Sequence, residues 1–158
     1  MTVTGTEDVM IRPARAGDED QMVELTHVIA RAEGRPEACT ATTEGLRSVV
    51  IDDGWAQALV ACEPTDPDTI IGMIIYYRSY ASYAGKRGYF VENVAVAESA
   101  QGRGVASAMF DALVRQAKAE GVGKLEWACD RANSARRFYE DRLKAEPNEH
   151  YMIYSYRL

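Results

Sequence analysis

The chain has 158 residues, of which 47% are hydrophobic and 27% are charged, and its formal net charge is −6. This length and composition predict one compact globular domain with a substantial core. The acidic charge argues against nucleic acid as a partner and favours a cationic one. No apolar run reaches the length of a membrane span, no signal peptide opens the chain, and the three cysteines lack metal-ligand spacing. We therefore expect a cytoplasmic protein that binds neither a membrane nor a metal.

The first half of the chain predicts short strands and two helices. A polar tail at 1–8 precedes them, and Asp18 with Gln21 three residues later predicts a capping box at the first helix. The predicted elements of this half are strands at 9–12, 55–62 and 70–80 and helices at 18–33 and 46–50.

The second half alternates strands and helices more regularly. A long amphipathic helix is predicted to begin near Val105 and to end at Gly121, which suits a helix C-cap. The predicted elements of this half are strands at 86–97, 124–129 and 150–157 and helices at 105–120 and 133–143. The last strand is expected to close the sheet, and no repeat or second domain interrupts the order.

The loop Gln101–Ala106, with the sequence QGRGVA, lies between a predicted strand and a predicted helix. Its two glycines and its alanine allow a tight turn and a close approach of the backbone to another group. The helix that follows has unpaired N–H groups and partial positive charge at its start. Together these features predict a seat for an anion, most often a phosphate, and so a nucleotide-type cofactor.

The two commonest phosphate motifs do not fit this loop. A P-loop needs a lysine after the second glycine, and none follows Gly104. The dinucleotide fingerprint needs a third glycine where Ser107 stands. A Rossmann-type oxidoreductase is thereby disfavoured, although a short Gly-x-Gly alone does not exclude it.

The surrounding residues resemble the GNAT superfamily of acetyl-CoA-dependent N-acetyltransferases. The family's loop pattern is met by Gln101, Gly104 and Ala106, after a strand that ends in the small apolar run 94–97. The resemblance extends over 89–143. It implies an α/β (α+β) fold whose mixed, mostly antiparallel sheet has about six to seven strands, flanked by about four helices. It also implies one acyl-CoA N-acyltransferase domain over 1–158.

The same resemblance implies acetyl-CoA as co-substrate and assigns its contacts. Backbone N–H groups of the loop would cradle the pyrophosphate while Arg103 adds charge, and the strand around Val94 would offer oxyanion donors. The implied cofactor-binding residues are Val94, Ala95, Val96, Gln101, Gly102, Arg103, Gly104, Val105, Ala106, Asn133 and Arg136.

Glu92 and Tyr139 are the candidate catalytic residues. Glu92 is a charge inside an apolar strand run, where a structural ion pair or an exposed edge is an equal alternative. Tyr139 alone would be taken for a packing residue, and Asn133 for a helix N-cap. The family resemblance implies instead that Glu92 deprotonates or binds the ammonium of the acceptor. It also implies that Tyr139 assists the leaving thiolate.

A second resemblance, to the diamine/polyamine and thialysine acetyltransferase branch, concerns the acceptor. It rests on Tyr76, Tyr77 and Tyr80, on 85–86 and 89–93, and on an acidic segment that ends at Glu33. This resemblance implies a homodimer and the substrate-binding residues Glu33, Tyr80 and Asn93. The branch usually has Asp where Asn93 stands, so a smaller or amino-acid-like primary amine is as good a candidate as a polyamine. A protein or peptide amine, an aminoglycoside or a catalytically silent CoA-binding module remain alternatives.

Overall fold

The computed structural model describes residues 9–158, so the predicted polar tail at 1–8 lies outside the described residues. The chain divides into two compact units, one that runs up to Ala128 and one over Cys129–Leu158. The first unit contains the whole sheet.

The sheet has five strands in the order β1-β2-β3-β4-β5. Neighbours are antiparallel from β1 to β4, and β5 runs parallel to β4. The strands are β1 Met10–Pro13, β2 Gln57–Glu63, β3 Asp66–Ala81, β4 Lys86–Val96 and β5 Val122–Trp127. The predicted mixed, mostly antiparallel sheet is confirmed.

The predicted number of strands, six to seven, is too high, because residues 150–157 form no strand. Aromatic and β-branched residues give this segment a strong strand signal. A strand exists only where a neighbour completes its ladder of hydrogen bonds, and no described strand pairs with this segment. Its large side chains are exposed instead, among them Met152, Ile153 and Tyr154.

The described residues contain four α-helices. They are α1 Glu19–Ala32, α2 Thr43–Leu46, α3 Val105–Ala119 and α4 Ala135–Arg137. The helices α2 and α4 continue as π-helical turns over Arg47–Asp52 and Phe138–Arg142. The second helix begins before its predicted start because Thr42 caps it, accepting a bond from the Gly45 N–H at 3.1 Å. Gly121 ends α3 as predicted, with a φ of 71°.

Both faces of the sheet are covered. Met22 and Leu25 of α1 belong to one core cluster with alternate residues of β2 and β3, among them Val60 and Met73. The intervening residues, such as Ile74, are also buried, and α3 buries its own apolar stripe. Because side chains alternate across a strand, α1 covers one face and α3 the other.

Gly72 allows α3 to lie directly on β3. A Cβ atom at this position would lie 2.9 Å from Cγ1 of Val105 and 3.2 Å from the carbonyl oxygen of Ala95. The first distance is shorter than real Cβ contacts and the second is tighter than most of them, so a side chain here would require Val105 or the neighbouring backbone to shift. Gly72 pairs with Val96 in the sheet, so the first turn of α3 is held beside the end of β4.

The predicted capping box at α1 is wrong. The Asp18 side chain makes no cap bond, and its carboxylate accepts bonds from both terminal nitrogens of Arg12, at 2.7 and 3.0 Å. The backbone N–H of Arg15 adds a third bond at 2.8 Å. Gln21 turns away from the helix start and bonds the backbone of β3, accepting from the N–H of Ile70 at 2.9 Å. The carboxylate of Asp18, which would otherwise cap the helix, is therefore paired with the largely buried side chain of Arg12.

We expect Asp18→Asn to lower the free energy of unfolding by about 3 kcal/mol, because it leaves a largely buried guanidinium without its counter-charge. The side chains of Arg12 and Asp18 are only 15% and 6% exposed. Glu24→Gln is the control, since Glu24 pairs with Arg31 on the surface, where the loss should stay below about 1 kcal/mol. Denaturant unfolding measures both variants, and equal losses would contradict the prediction.

The same pair predicts a pH dependence. Burial alone would raise the pKa of Asp18, but the hydrogen bonds from Arg12 and Arg15 outweigh it and hold the pKa below its usual value. The stability that this pair contributes is therefore complete above the unfolded-state pKa and is lost as the pH falls through the folded-state pKa. The difference in the free energy of unfolding between wild type and Asp18→Asn should therefore decrease as the pH drops below about 4.

Candidate active site

The strands β4 and β5 are paired only as far as Val91. Their parallel pairing ends where Val91 meets Trp127, although β4 continues to Val96. On its other side β4 skips one residue against β3: Tyr76 pairs with Val91, whereas Ile75 pairs with Asn93. Glu92 is thus the extra residue of a β-bulge, a device that redirects a side chain and bends the strand.

Glu92 is exposed at this bulge, so its charge is solvated rather than buried in the sheet. Its neighbour is Tyr77, whose ring stacks on Phe90 with a centroid distance of 5.3 Å and an interplanar angle of 26°. Burial and the negative charge of Glu92 together raise the pKa of Tyr77. The strand register brings Tyr77 beside Glu92 at the candidate site.

Beyond the bulge, one row of β4 backbone groups has no strand neighbour in the described part of the chain. This segment contains Asn93, Val94 and Val96, which are half-buried, and Ala95, which is buried. Its β3 side is paired, while its other side has lost β5. Backbone donors and acceptors along this edge are available to a ligand.

The loop between β4 and α3 has the geometry that its glycines predict. Gly102 and Gly104 have φ values of 78° and 80°, in the left-handed region that favours glycine. Helix α3 begins at Val105, directly after the second glycine. The first N–H groups of this helix have no intrahelical partners, so they and the helix dipole favour an anion.

Side chains anchor this loop at both of its sides. The amide nitrogen of Gln101 donates to the carbonyl oxygen of Val96 at 3.4 Å. The guanidinium of Arg103 donates two bonds to Glu63 of β2, from Nη1 to Oε1 at 3.2 Å and from Nη2 to Oε2 at 3.0 Å. These bonds lower the pKa of Glu63. Glu63 was missed from the sequence because 40 residues separate it from its partner.

The second unit carries the remaining predicted residues. Tyr139 is half-buried in the π-helical turn, with its ring edge against Phe138 at a centroid distance of 5.6 Å. Asn133 accepts a bond from the Ala135 N–H at 2.9 Å and so braces the start of α4. Arg136 is exposed and bonds Glu140 at 3.1 Å.

The three predicted substrate-binding residues are spread over the first unit. Asn93 follows Glu92 directly on β4, whereas Glu33 is exposed at the end of α1. Tyr80 is 71% exposed and pairs with Arg87 near the tip of the β3–β4 hairpin. The five residue-to-residue steps from 87 to 92 span roughly 17 Å of strand, so Tyr80 does not lie beside Glu92.

A cavity of about 510 Å³ lies at the start of β4, far from the loop. Arg78, Arg87, Tyr89 and Glu120 are among the residues that line it. The hydroxyl of Tyr89 donates a hydrogen bond to the Glu120 carboxylate. Burial together with this bond raises the pKa of Tyr89 to about 12. Arg78 forms an ion pair with the same carboxylate at 3.6 Å. We therefore interpret the cluster as a set of polar contacts that hold the end of α3 against the sheet. In the described residues, no three His, Cys, Asp or Glu side chains group as metal ligands would.

The Acetyltransferase (GNAT) family matches residues 24–144, which is most of the chain. The chain therefore belongs to this family.

Two characterised relatives resemble the chain at low identity. The L-ornithine N5-acetyltransferase of Arabidopsis thaliana is 29% identical over 72 residues, which cover 45% of this chain and 32% of that protein. The match thus spans only about a third of that relative's length. The thialysine N-epsilon-acetyltransferase of Bos taurus is 26% identical over 130 residues, covering 76% of this chain and 74% of that protein.

Solved structures share the fold over almost the whole chain. The ribosomal-protein-alanine N-acetyltransferase of Brucella melitensis superposes with a TM-score of 0.71 at 22% identity, covering 95% of this chain and 99% of that one. An aminoglycoside acetyltransferase from an uncultured soil metagenomic sample reaches a TM-score of 0.73 at 15% identity, covering 95% and 96%. Among the residues described, no helix combines the length and apolarity needed to cross a membrane.

Proposed function

We propose that the protein transfers an acetyl group from acetyl-CoA directly to a primary amine of a small molecule. The observation that carries this proposal is the junction of β4 with α3. The start of α3, which favours an anion, lies there. Next to it is the edge of β4 that no longer pairs with β5, and a β-bulge at the beginning of this unpaired edge carries the carboxylate of Glu92. Family membership supports acetyl-CoA as the donor.

In this proposal the Gln101–Ala106 loop and the first N–H groups of α3 bind the cofactor pyrophosphate. Two glycines at positive φ leave the backbone bare, so phosphate oxygens can approach it closely. The unpaired β4 edge at Val94–Val96 would hold the arm that carries the thioester. One of its N–H groups would donate to the oxyanion that forms when the amine attacks.

Glu92 is proposed to bind the acceptor ammonium and to take its proton, directly or through water. An alkyl amine with a pKa near 10.4 is protonated at pH 7, and its deprotonation costs about 4.6 kcal/mol. An exposed carboxylate attracts the ammonium and can accept the proton as the nitrogen attacks. The bulge supports this role because it turns the side chain away from the regular alternation of the strand.

Tyr139 is proposed to donate a hydrogen bond to the leaving thiolate. A phenol with a pKa near 10 is a weaker acid than a thiol of pKa about 8.5, so complete proton transfer is uphill by about 2 kcal/mol. A bond that strengthens as charge develops on sulfur needs no complete transfer. The contribution of Asn133 and Arg136 to cofactor binding belongs to the same proposal.

The acceptor is proposed to be a diamine, a polyamine or an amino-acid-like amine. The net charge of −6 favours a cationic acceptor, and the two relatives are named for ornithine and thialysine, both amino acids with a side-chain amine. Glu33, Tyr80 and Asn93 are proposed to contact the acceptor. Turnover of a panel of diamines, amino acids, aminoglycosides and peptide N-termini tests this choice, and preference for a peptide or an aminoglycoside would overturn it.

The protein is also proposed to act in the cytoplasm, as its sequence features predict, and to form a homodimer, on the resemblance to the polyamine and thialysine branch alone. Size-exclusion chromatography with light scattering tests the dimer, and a monomer at working concentration would refute it.

We expect Glu92→Gln to lower the turnover rate at pH 7 and to lose less as the pH rises. At high pH the amine is already free, so a base contributes less to the rate. Rates from pH 7 to 10 measure the effect, with Glu98→Gln as a control that removes another exposed carboxylate. A loss that does not change with pH would assign Glu92 a structural role.

We expect Tyr139→Phe to lower turnover at least about tenfold, because general acid assistance typically contributes about 10²–10⁴-fold. An interaction made mainly in the transition state leaves ground-state binding alone, so acetyl-CoA affinity and melting temperature should stay close to wild type. Tyr154→Phe, at a tyrosine that is 83% exposed, is the matched control. Wild-type turnover in Tyr139→Phe would show that this ring only packs.

A further inference from the structure

One ion pair ties the loop before α3 to a strand two places away in the sheet. Glu63 is the last residue of β2, and β3 lies between β2 and β4. The bidentate bonds from Arg103 to Glu63, at 3.2 and 3.0 Å, connect that strand to the residue between the two positive-φ glycines. Both side chains are about two-thirds shielded, with exposures of 28% and 30%.

The end of β2 places Glu63 toward this loop. The register of β2 against β3 shifts between Ala61 and Cys62 and again between Cys62 and Glu63. Cys62 is fully buried in the cluster that α1 covers. At such an irregular strand end the regular alternation of side chains no longer holds, and the two bonds to Arg103 place the Glu63 carboxylate at the loop.

We propose that Glu63 is a positioning residue for cofactor binding, and that it acts through Arg103. This inference rests on the proposed role of the loop as the pyrophosphate seat. Two glycines around Arg103 give the loop many backbone conformations, and only some of them aim the N–H groups at one point. A planar, bidentate guanidinium–carboxylate pair fixes both position and orientation, which a single bond would not.

The direction in which loss of Glu63 changes the affinity for acetyl-CoA distinguishes this proposal from a purely electrostatic effect. A carboxylate near a pyrophosphate repels it, and removal of the Glu63 charge would leave the positive charge of Arg103 less neutralised. Both effects predict that loss of Glu63 tightens acetyl-CoA binding. A positioning role predicts weaker acetyl-CoA binding instead, because a loop without this ion pair must lose conformational freedom when the cofactor binds.

The test is a double-mutant cycle on acetyl-CoA affinity, measured by calorimetry on Glu63→Gln, Arg103→Gln and the double variant. We expect each single variant to bind acetyl-CoA about tenfold more weakly and the double variant to be no worse than either, as for two residues that act as one unit. Glu98→Gln is the control for loss of a nearby exposed carboxylate and should not weaken binding. Unchanged or tighter binding in Glu63→Gln, or additive losses in the double variant, would overturn the proposal.

A second readout distinguishes positioning from general damage. S-acetylpantetheine carries the thioester but no pyrophosphate, so its turnover should be the same in Glu63→Gln and wild type, while KM for acetyl-CoA rises and kcat holds. Equal losses with both donors would overturn the proposal.

Gly104→Val separates a failure of this inference from a failure of the proposed function. If Gly104→Val leaves acetyl-CoA affinity unchanged, the loop is not the phosphate seat and both proposals fall. If Gly104→Val weakens binding strongly while Glu63→Gln does not, only the role of Glu63 falls.

Discussion

The contact between Gly72 and the first turn of α3 is the constraint on which the candidate site depends. A Cβ atom at this position would lie 2.9 Å from Cγ1 of Val105, so the first turn of α3 would have to shift relative to β3. Gly72 also pairs with Val96, so this close contact keeps the helix start beside the end of β4. The anion-favouring helix end and the open edge of β4 are neighbours because one residue in the middle of the sheet has no Cβ atom.

Two ion pairs hold the parts of the first unit that the site needs. Arg12 and Asp18 fasten the start of α1 to β1, and Arg103 and Glu63 fasten the cofactor loop to β2. The second pair joins segments that are 40 residues apart, and both pairs are partly shielded from solvent. Within this frame, the bulge at Glu92 turns a carboxylate out of the regular alternation of β4.

The fold and the position of the loop could be predicted from sequence because both depend on local patterns. Alternating apolar residues, two glycines and a long amphipathic helix specify a strand, a turn and a helix without reference to the rest of the chain. Long-range partners could not be predicted in this way. The bulge at Glu92 and the bond from Arg103 to Glu63 depend on how the strands pair, which no local pattern encodes. The capture of Asp18 by Arg12 spans only six residues, but a capping pattern does not show that a nearby guanidinium competes for the carboxylate. The segment 150–157 shows the converse error, a strong local strand signal that no neighbouring strand satisfies.

Direct transfer of the acetyl group is tested most directly by two-substrate kinetics with acetyl-CoA and the best amine of the panel. If the amine attacks the thioester within a ternary complex, reciprocal plots should intersect, one thiol should appear for each acetylated amine, and intact-protein mass spectrometry should find no acetylated chain. Parallel plots together with an acetylated chain would indicate a covalent intermediate instead. The absence of thiol release with every amine, despite tight acetyl-CoA binding, would contradict the proposed transferase activity altogether.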